Sequence, residues 1–380
     1  MVLSIEADKL LTKEESFGKE KNRGTFLLCA TLVFAILAAF FFGLWLFTIT
    51  KQTRTTYTEI SKLRMELPPD LQKVEEGVFT KFDELNANNG ITFVSLDDII
   101  KHFKVLVKNV ERAKIYRARN SNIVYGFNKY MLMTDDELRA DFMPVETLTS
   151  LSPLKNVEFM RSNGVRPMNA SHDWREDGVI TPVKNQGNST NSLAFAITST
   201  VEAFHAIKNK QYVNLAEQEL IDCVDTYNNT SNVIHNSLDY VTNFGLALEH
   251  VYLFSGTRGQ CQNITESKIS VPGWTALPSD EAYLADWVAN NGPVVVGVLV
   301  TREMLQYEEG VLSVSYNDCY YRSIGAQFMT IVGYGKEAGD RYWIVKNSWG
   351  TGFGENGYMK IERGRNTCGI AQWAFAPSIS

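Results

Sequence analysis

Pro182-Val183-Lys184-Asn185-Gln186-Gly187-Asn188-Ser189-Thr190-Asn191-Ser192-Leu193-Ala194-Phe195 is the stretch on which the reading of the fold turns. Its Asn, Ser and Thr residues make a turn that feeds an apolar segment reaching about Ile207, so a helix starts near Ser192. Leu193, Ile197, Val201, Phe204 and Ile207 fall at three- and four-residue steps and are expected to form its buried face. Orphan backbone N–H groups and the positive end of the helix dipole gather around Ser192, a setting suited to a nucleophile.

A second block lies near the C-terminus. Ile331-Val332-Gly333-Tyr334-Gly335 precedes Tyr342-Trp343-Ile344-Val345-Lys346-Asn347-Ser348-Trp349-Gly350, followed by Thr351 to Tyr358. Taken with Asp173-Trp174-Arg175 and Thr181 to Gly187, these ordered blocks resemble the papain-like cysteine peptidases over residues 166–380. The resemblance implies an α+β fold of two lobes, one helical and one β-rich, with the site in the cleft between them. It also implies that Gln186 supplies an oxyanion-hole amide, that Asn347 orients the base and that Trp349 shields that amide. In the family a Cys stands at the place of Ser192 and a Trp at that of Leu193. The catalytic His, six residues before the first Gly of the Val-Gly-Tyr-Gly run, stands at the place of Gln327. The cleft-lining loop corresponds to Asn228-Asn229-Thr230-Ser231-Asn232, where Ser231 and Asn232 would face a bound peptide without two glycines that let its backbone approach closely.

Thiol hydrolysis needs a thiolate held by an imidazolium. Ser192 is neutral at pH 7 and requires a base, and the Gln327 amide cannot take and return a proton near neutrality. The other histidines, His102, His172, His205, His235 and His250, lie elsewhere in the chain. His205 stands roughly 20 Å along the helix from Ser192 at a rise of about 1.5 Å per residue.

The chain is 380 residues long, and its apolar residues are unevenly spread. No charged residue occurs from Gly24 to Thr50, a length that spans a bilayer, and no small-residue cleavage site follows it. Lys13, Lys19, Lys21 and Arg23 precede it, so residues 1–23 are expected to form a cytoplasmic tail and 24–50 a single-pass type II anchor. The bulk of the chain would then face a lumen or the outside. Apart from Cys29 in the anchor, Cys223, Cys261, Cys319 and Cys368 remain, an even number that fits an oxidising compartment and allows three pairings. The resemblance selects Cys223 with Cys261 and Cys319 with Cys368. A third bridge of the family would fall at Ser189 and about Asn229, so both of its ends are lost together. Acceptor patterns for N-glycans occur at Asn169, Asn188, Asn228, Asn229 and Asn263. The net charge of −6 and scattered basic residues give no case for nucleic acid. Neither a cofactor nor a metal is called for.

Residues 51–165 read as a linker and a helical region resembling the family's inhibitory propeptide. Lys51 to Glu66 is polar and helix-compatible until Pro68-Pro69 ends it, and about Leu71 to Met160 is helical in pattern. Phe103, Val107, Val110 and Ala113 are expected to share a face. Gly126-Phe127-Asn128-Lys129-Tyr130 matches the family's turn, Thr134 is a helix cap, and Asn109 matches a long-helix signature. Downstream, helices are expected at Ala216 to Asp222 and around Ser237 to Asn243. Strands are expected at Val294 to Val300, Phe328 to Gly333, Tyr342 to Lys346 and Gly357 to Ile361.

With its anchor, the chain resembles the membrane-anchored papain-type proteins of apicomplexan parasites. The reading is of a peptidase homologue without peptidase chemistry, a pseudoprotease that binds a protein or peptide in its cleft. Serine-type hydrolysis by Ser192 and a purely structural surface role are the alternatives.

Overall fold

The computed structural model describes residues 38–42, 63–149, 170–224 and 233–378. Residues 38–42 are helical, and the rest of the expected anchor, the tail, the linker near 161–168 and the loop holding Ser231 and Asn232 lie outside the described residues. Among the described residues, no helix is long and apolar enough to cross a membrane.

One compact unit ends at Val74 and a second begins at Glu75. In the first, residues 63–66 make a helical turn closed by Leu67 N–H on the Leu63 carbonyl at 2.9 Å, and the prolines at 68 and 69 stop it.

The second unit opens with helices α1 (Glu76–Asn89) and α2 (Leu96–Arg119). Gly90 ends α1 in the left-handed conformation that a residue without Cβ adopts at no cost, at φ 60°. Ser95 caps α2, accepting from Asp98 N–H at 3.2 Å. The buried face of α2 is Ile99, Phe103, Leu106 and Asn109, with Val107 and Val110 at its margin. The apolar pattern alone selected a stripe rotated from this one, because the buried polar Asn109 belongs to the true face and does not register as apolar. Asn109 Nδ2 donates to the Met131 carbonyl at 2.9 Å.

Beyond α2 the expected continuous helical pattern is broken. Strand β1 (Val124–Tyr125) leads to a short 3-10 turn, and then come α3 (Asp135–Asp141) and α4 (Glu146–Thr149). Asn120 ends α2 in extended backbone, and Val124 and Tyr125 pair with residues 307–309 of the downstream domain, while residues 128–133 bond locally in the turn. Thr134 and Glu137 form a reciprocal capping box at the start of α3.

The rest is helices first and strands later. After β2 (His172–Asp173) come α5 (Ser192–Asn209), α6 (Glu217–Cys223) and α7 (Val233–Phe244). From β3 (Trp274–Ala276) onward the elements are α8 (Glu281–Asn290), β4 (Val294–Val300), α9 (Arg302–Leu305), β5 (Tyr307–Glu309) and β6 (Val311–Leu312). They continue as α10 (Tyr316–Arg322), β7 (Gly325–Glu337), β8 (Asp340–Lys346), β9 (Tyr358–Glu362) and β10 (Ala374–Pro377). This is the α+β arrangement expected from the sequence.

The main sheet runs β3-β10-β4-β7-β8-β9-β6, antiparallel except for β6 with β9, and β2 joins the side of β7. Strand β1 pairs separately with β5. Every residue of β4 is buried, which explains an unbroken apolar run where a half-exposed strand would alternate. From Ser192 to Ala203 every residue of α5 is buried, wider than the single stripe its periodicity marked, while Phe204 and Ile207 are only half-buried. Disulfides link Cys223 to Cys261 and Cys319 to Cys368, the pairing implied by the resemblance.

Candidate functional site

Three segments converge where α5 starts. Backbone bonds clip the turn before α5 to the segment after β8: Gln186 N–H donates to the Ser348 carbonyl at 2.8 Å, and Gly350 N–H to the Lys184 carbonyl at 3.1 Å. Strand β7 supplies the third side, with Gln327 opposite Val298 of β4. Phe328 N–H donates to Ser192 Oγ at 3.0 Å, so α5 is seated directly on that strand. Gln186, Ser192, Gln327 and Asn347 thereby come together although the sequence spreads them over 161 positions, and all four are buried.

Gln327 links the side-chain amides of Gln186 and Asn347. Gln327 Nε2 donates within reach of three acceptors: Gln186 Oε1 at 2.9 Å, Asn347 Oδ1 at 3.2 Å and Ser348 Oγ at 3.3 Å. Ser348 Oγ donates to Gln186 Oε1 at 2.5 Å, and Gln186 Nε2 donates to the Ser189 carbonyl at 2.6 Å. One N–H of the expected oxyanion amide is therefore already engaged inside the protein. Asn347 Oδ1 receives the Gln327 amide where the resemblance places an imidazole, and Asn347 Nδ2 is buried without a partner among the described residues. A ring of amides and hydroxyls exchanges hydrogen bonds well, but it contains no group that titrates near neutrality.

The site is closed by the chain's own upstream segment. Ser192 Oγ lies 3.7 Å from Met143 Sδ, and Ala326 N–H donates to the Met143 carbonyl at 2.8 Å. The rings of Phe142 and Tyr130 meet the Trp349 indole edge-on, at 5.6 Å and 5.4 Å between centroids. Two glycines make room for this segment. A Cβ at Gly325 would fall 2.4 Å from Phe142 Cβ, and one at Gly297 would fall 2.5 Å from Leu148 Cδ2. Farther along, Tyr125 donates to Glu303 Oε1 and Asn128 Nδ2 to the Leu305 carbonyl, both at 2.6 Å.

Three of the described histidines have partners away from Ser192. His102 contacts the Leu132 carbonyl, Asp98 and Glu137; His172 faces Asp177; and His205 meets Asn209. His235 Nδ1 is buried without a partner among the described residues. Ser189 fills its place with hydrogen bonds, its Oγ accepting from Asn191 N–H at 3.2 Å and from Asn191 Nδ2 at 2.8 Å.

Charge lies one layer deeper. Lys184 Nζ bridges Glu202 at 3.0 Å and Glu217 at 2.6 Å, Thr181 Oγ1 donates to Glu202 Oε2 at 2.5 Å, and Thr198 Oγ1 donates to Glu217 at 2.6 Å. Burial opposes the charge on Lys184, but the two carboxylates outweigh it and raise the ammonium above its ordinary range. Among the described residues Lys346 Nζ donates to Thr181 Oγ1, at 3.0 Å, and burial drops it to about 8 with partial opposition from Glu202.

Sequence reasoning missed two participants. Ser348 was legible, since it sits inside the Asn347-Ser348-Trp349 run. Met143 was not, because nothing in its own surroundings marks it and only the packing brings it to Ser192 across 49 positions.

With this geometry on the page, comparison with known proteins gives the family. The profile described as "Papain family cysteine protease" matches residues 168–378. The chain is 32% identical to pro-cathepsin H of Bos taurus over 291 residues, 74% of this chain and 85% of that protein. It is 29% identical to cysteine proteinase 3 of Solanum lycopersicum over 86% of this chain and 94% of that one. Among solved structures, procathepsin L2 proteinase from the Tenebrio molitor larval midgut matches at a TM-score of 0.70 and 30% identity, covering 80% of this chain and all of that one. The chain belongs to the papain family of cysteine proteases.

Proposed function

We propose that this papain-family chain is a pseudoprotease, a membrane-anchored homologue that acts by binding protein or peptide rather than by cutting it. The observation that carries the reading is the environment of Ser192: its hydroxyl accepts from Phe328 N–H and faces Met143 Sδ, while the group beside Asn347 is the Gln327 amide. A neutral hydroxyl without a base is a poor nucleophile, and the loss of triad members typically costs several orders of magnitude in rate. The region 51–165 plays the part of a retained linker and propeptide. A chain without peptidase chemistry cannot remove it from itself, so another protease would have to cut near Arg166.

The test is a peptidase assay on the full-length chain in detergent, run on wild type, on Phe142→Ala to loosen the cover, and on Ser192→Cys with Gln327→His. Wild type and Phe142→Ala are expected to leave a fluorogenic peptide intact, with the double variant gaining labelling by a thiol-directed inhibitor. Wild-type turnover that disappears in Ser192→Ala would instead establish serine-type hydrolysis.

The same proposal places residues 24–50 in a membrane, with the C-terminal domain lumenal and glycosylated. The two disulfides support an oxidising compartment. Protease protection in sealed vesicles, with a mobility shift on glycosidase treatment, tests this topology; digestion of the large domain from the cytoplasmic side would overturn it.

A further inference from the structure

Away from the cleft, the joint between the upstream helices and the downstream domain holds a cavity of about 560 Å³. Its walls carry five arginines against three carboxylates, in a chain whose net charge is −6. The arginines come from both sides: Arg112 and Arg119 from α2, Arg139 from α3, Arg302 from α9 and Arg322 from α10.

Two of the three carboxylates are held by arginines of the same cavity. Asp135 is taken by Arg302, whose Nε donates to it at 2.8 Å, and Asp318 faces Arg322 at 3.5 Å. Glu303 accepts from the Tyr125 hydroxyl at 2.6 Å and also faces the charges of Arg119 and Arg322, so the five arginines outnumber the carboxylates by two. Arg112 Nη1 donates at 3.0 Å to Asn109 Oδ1, a neutral acceptor that Arg302 Nη1 also approaches at 3.4 Å. Arg119 and Arg139 are exposed at the rim. Guanidinium groups present planar forks that match phosphate and sulfate oxygens, and their bonds to such oxyanions are charge-assisted. The volume lies in the range that accepts a small organic molecule and exceeds the need of a bare ion.

We infer that this cavity binds a small molecule carrying a phosphate or sulfate ester, held by Arg112, Arg119 and Arg139. The site exists only while the upstream helices are docked, so its occupant also stabilises that docking.

Isothermal titration of the full-length chain in detergent, at fixed ionic strength, tests this with glucose 6-phosphate, glucose 6-sulfate and glucose. At least one ester is expected to bind about tenfold or more tightly than glucose, and the tighter ester identifies the group recognised. Arg119→Gln with Arg139→Gln, both at exposed positions, is expected to weaken that ester about tenfold or more. In wild type the ester should also slow amide hydrogen exchange over residues 112–119 and 316–322, a readout that needs no variant. Esters indistinguishable from glucose, or an unchanged affinity in the double variant, would overturn the inference.

Discussion

The first and third turns of α5 differ in kind. At the first turn, where the resemblance places a nucleophile, Ser192 is surrounded by amides, hydroxyls and a thioether, with no ionisable group bonded to it among the described residues. Near the third, Glu202 sits in a cluster of two carboxylates and two ammonium groups, each hydrogen-bonded. Charge has thus been kept where it fastens the turn before α5 to the helices behind it, and is missing where it would do chemistry. The lesson is that buried charge by itself does not mark a catalytic centre; its partners must be read first.

The contrast is most severely tested by Glu202→Ala, which strips Lys184, Thr181 Oγ1 and Leu215 N–H of an acceptor. Breaking a buried pair from one side costs about 3–5 kcal/mol, and the denaturant midpoint should fall accordingly. A loss no larger than that of a surface substitution would dissolve the distinction between the two turns.

Lys346 gives a pH signature. Its folded value of about 8 lies below the ordinary 10.5, so between those values the unfolded chain binds more protons and stability rises with pH. The penalty is fully present below about pH 8 and is relieved towards pH 10.5, amounting to about 3 kcal/mol. Wild type should therefore gain on Lys346→Met by that amount across this window, as measured by denaturation at each pH. A flat difference would mean that Lys346 is better solvated than its burial implies.

Smaller effects are expected at the covered turn. Gly325→Ala drives a Cβ against Phe142 and the Met143 carbonyl, an overpacking that costs about 1–3 kcal/mol. Faster amide exchange confined to residues 142–149 would localise that cost to the cover; uniform loosening would place it in β7. Ser192→Ala removes the acceptor of Phe328 N–H and should cost about 1 kcal/mol, with no change in peptide turnover.

Much of the fold was legible in local sequence. Thr134 and Glu137 announce their capping box, β4 begins and ends where its apolar run does, and α6 starts within one residue of its expectation. The path of the upstream region was less so. Residues 120–134 satisfy their backbone partly through distant partners, as when Gly126 N–H meets the Gln306 carbonyl at 2.8 Å, and a local period carries no trace of that.

The sequence by itself determined which chemical groups are available at the site: a hydroxyl at 192, an amide at 327, and amides at 186 and 347. An aliphatic hydroxyl and a carboxamide have no proton equilibrium near neutrality, so this much needs no coordinates. Only the tertiary structure decided how those groups are spent. Gln186 and Gln327, 141 positions apart, face each other at 2.9 Å, and a methionine from the upstream segment covers Ser192. Buried donors and acceptors must find partners wherever packing offers them, and packing is settled by the whole chain at once.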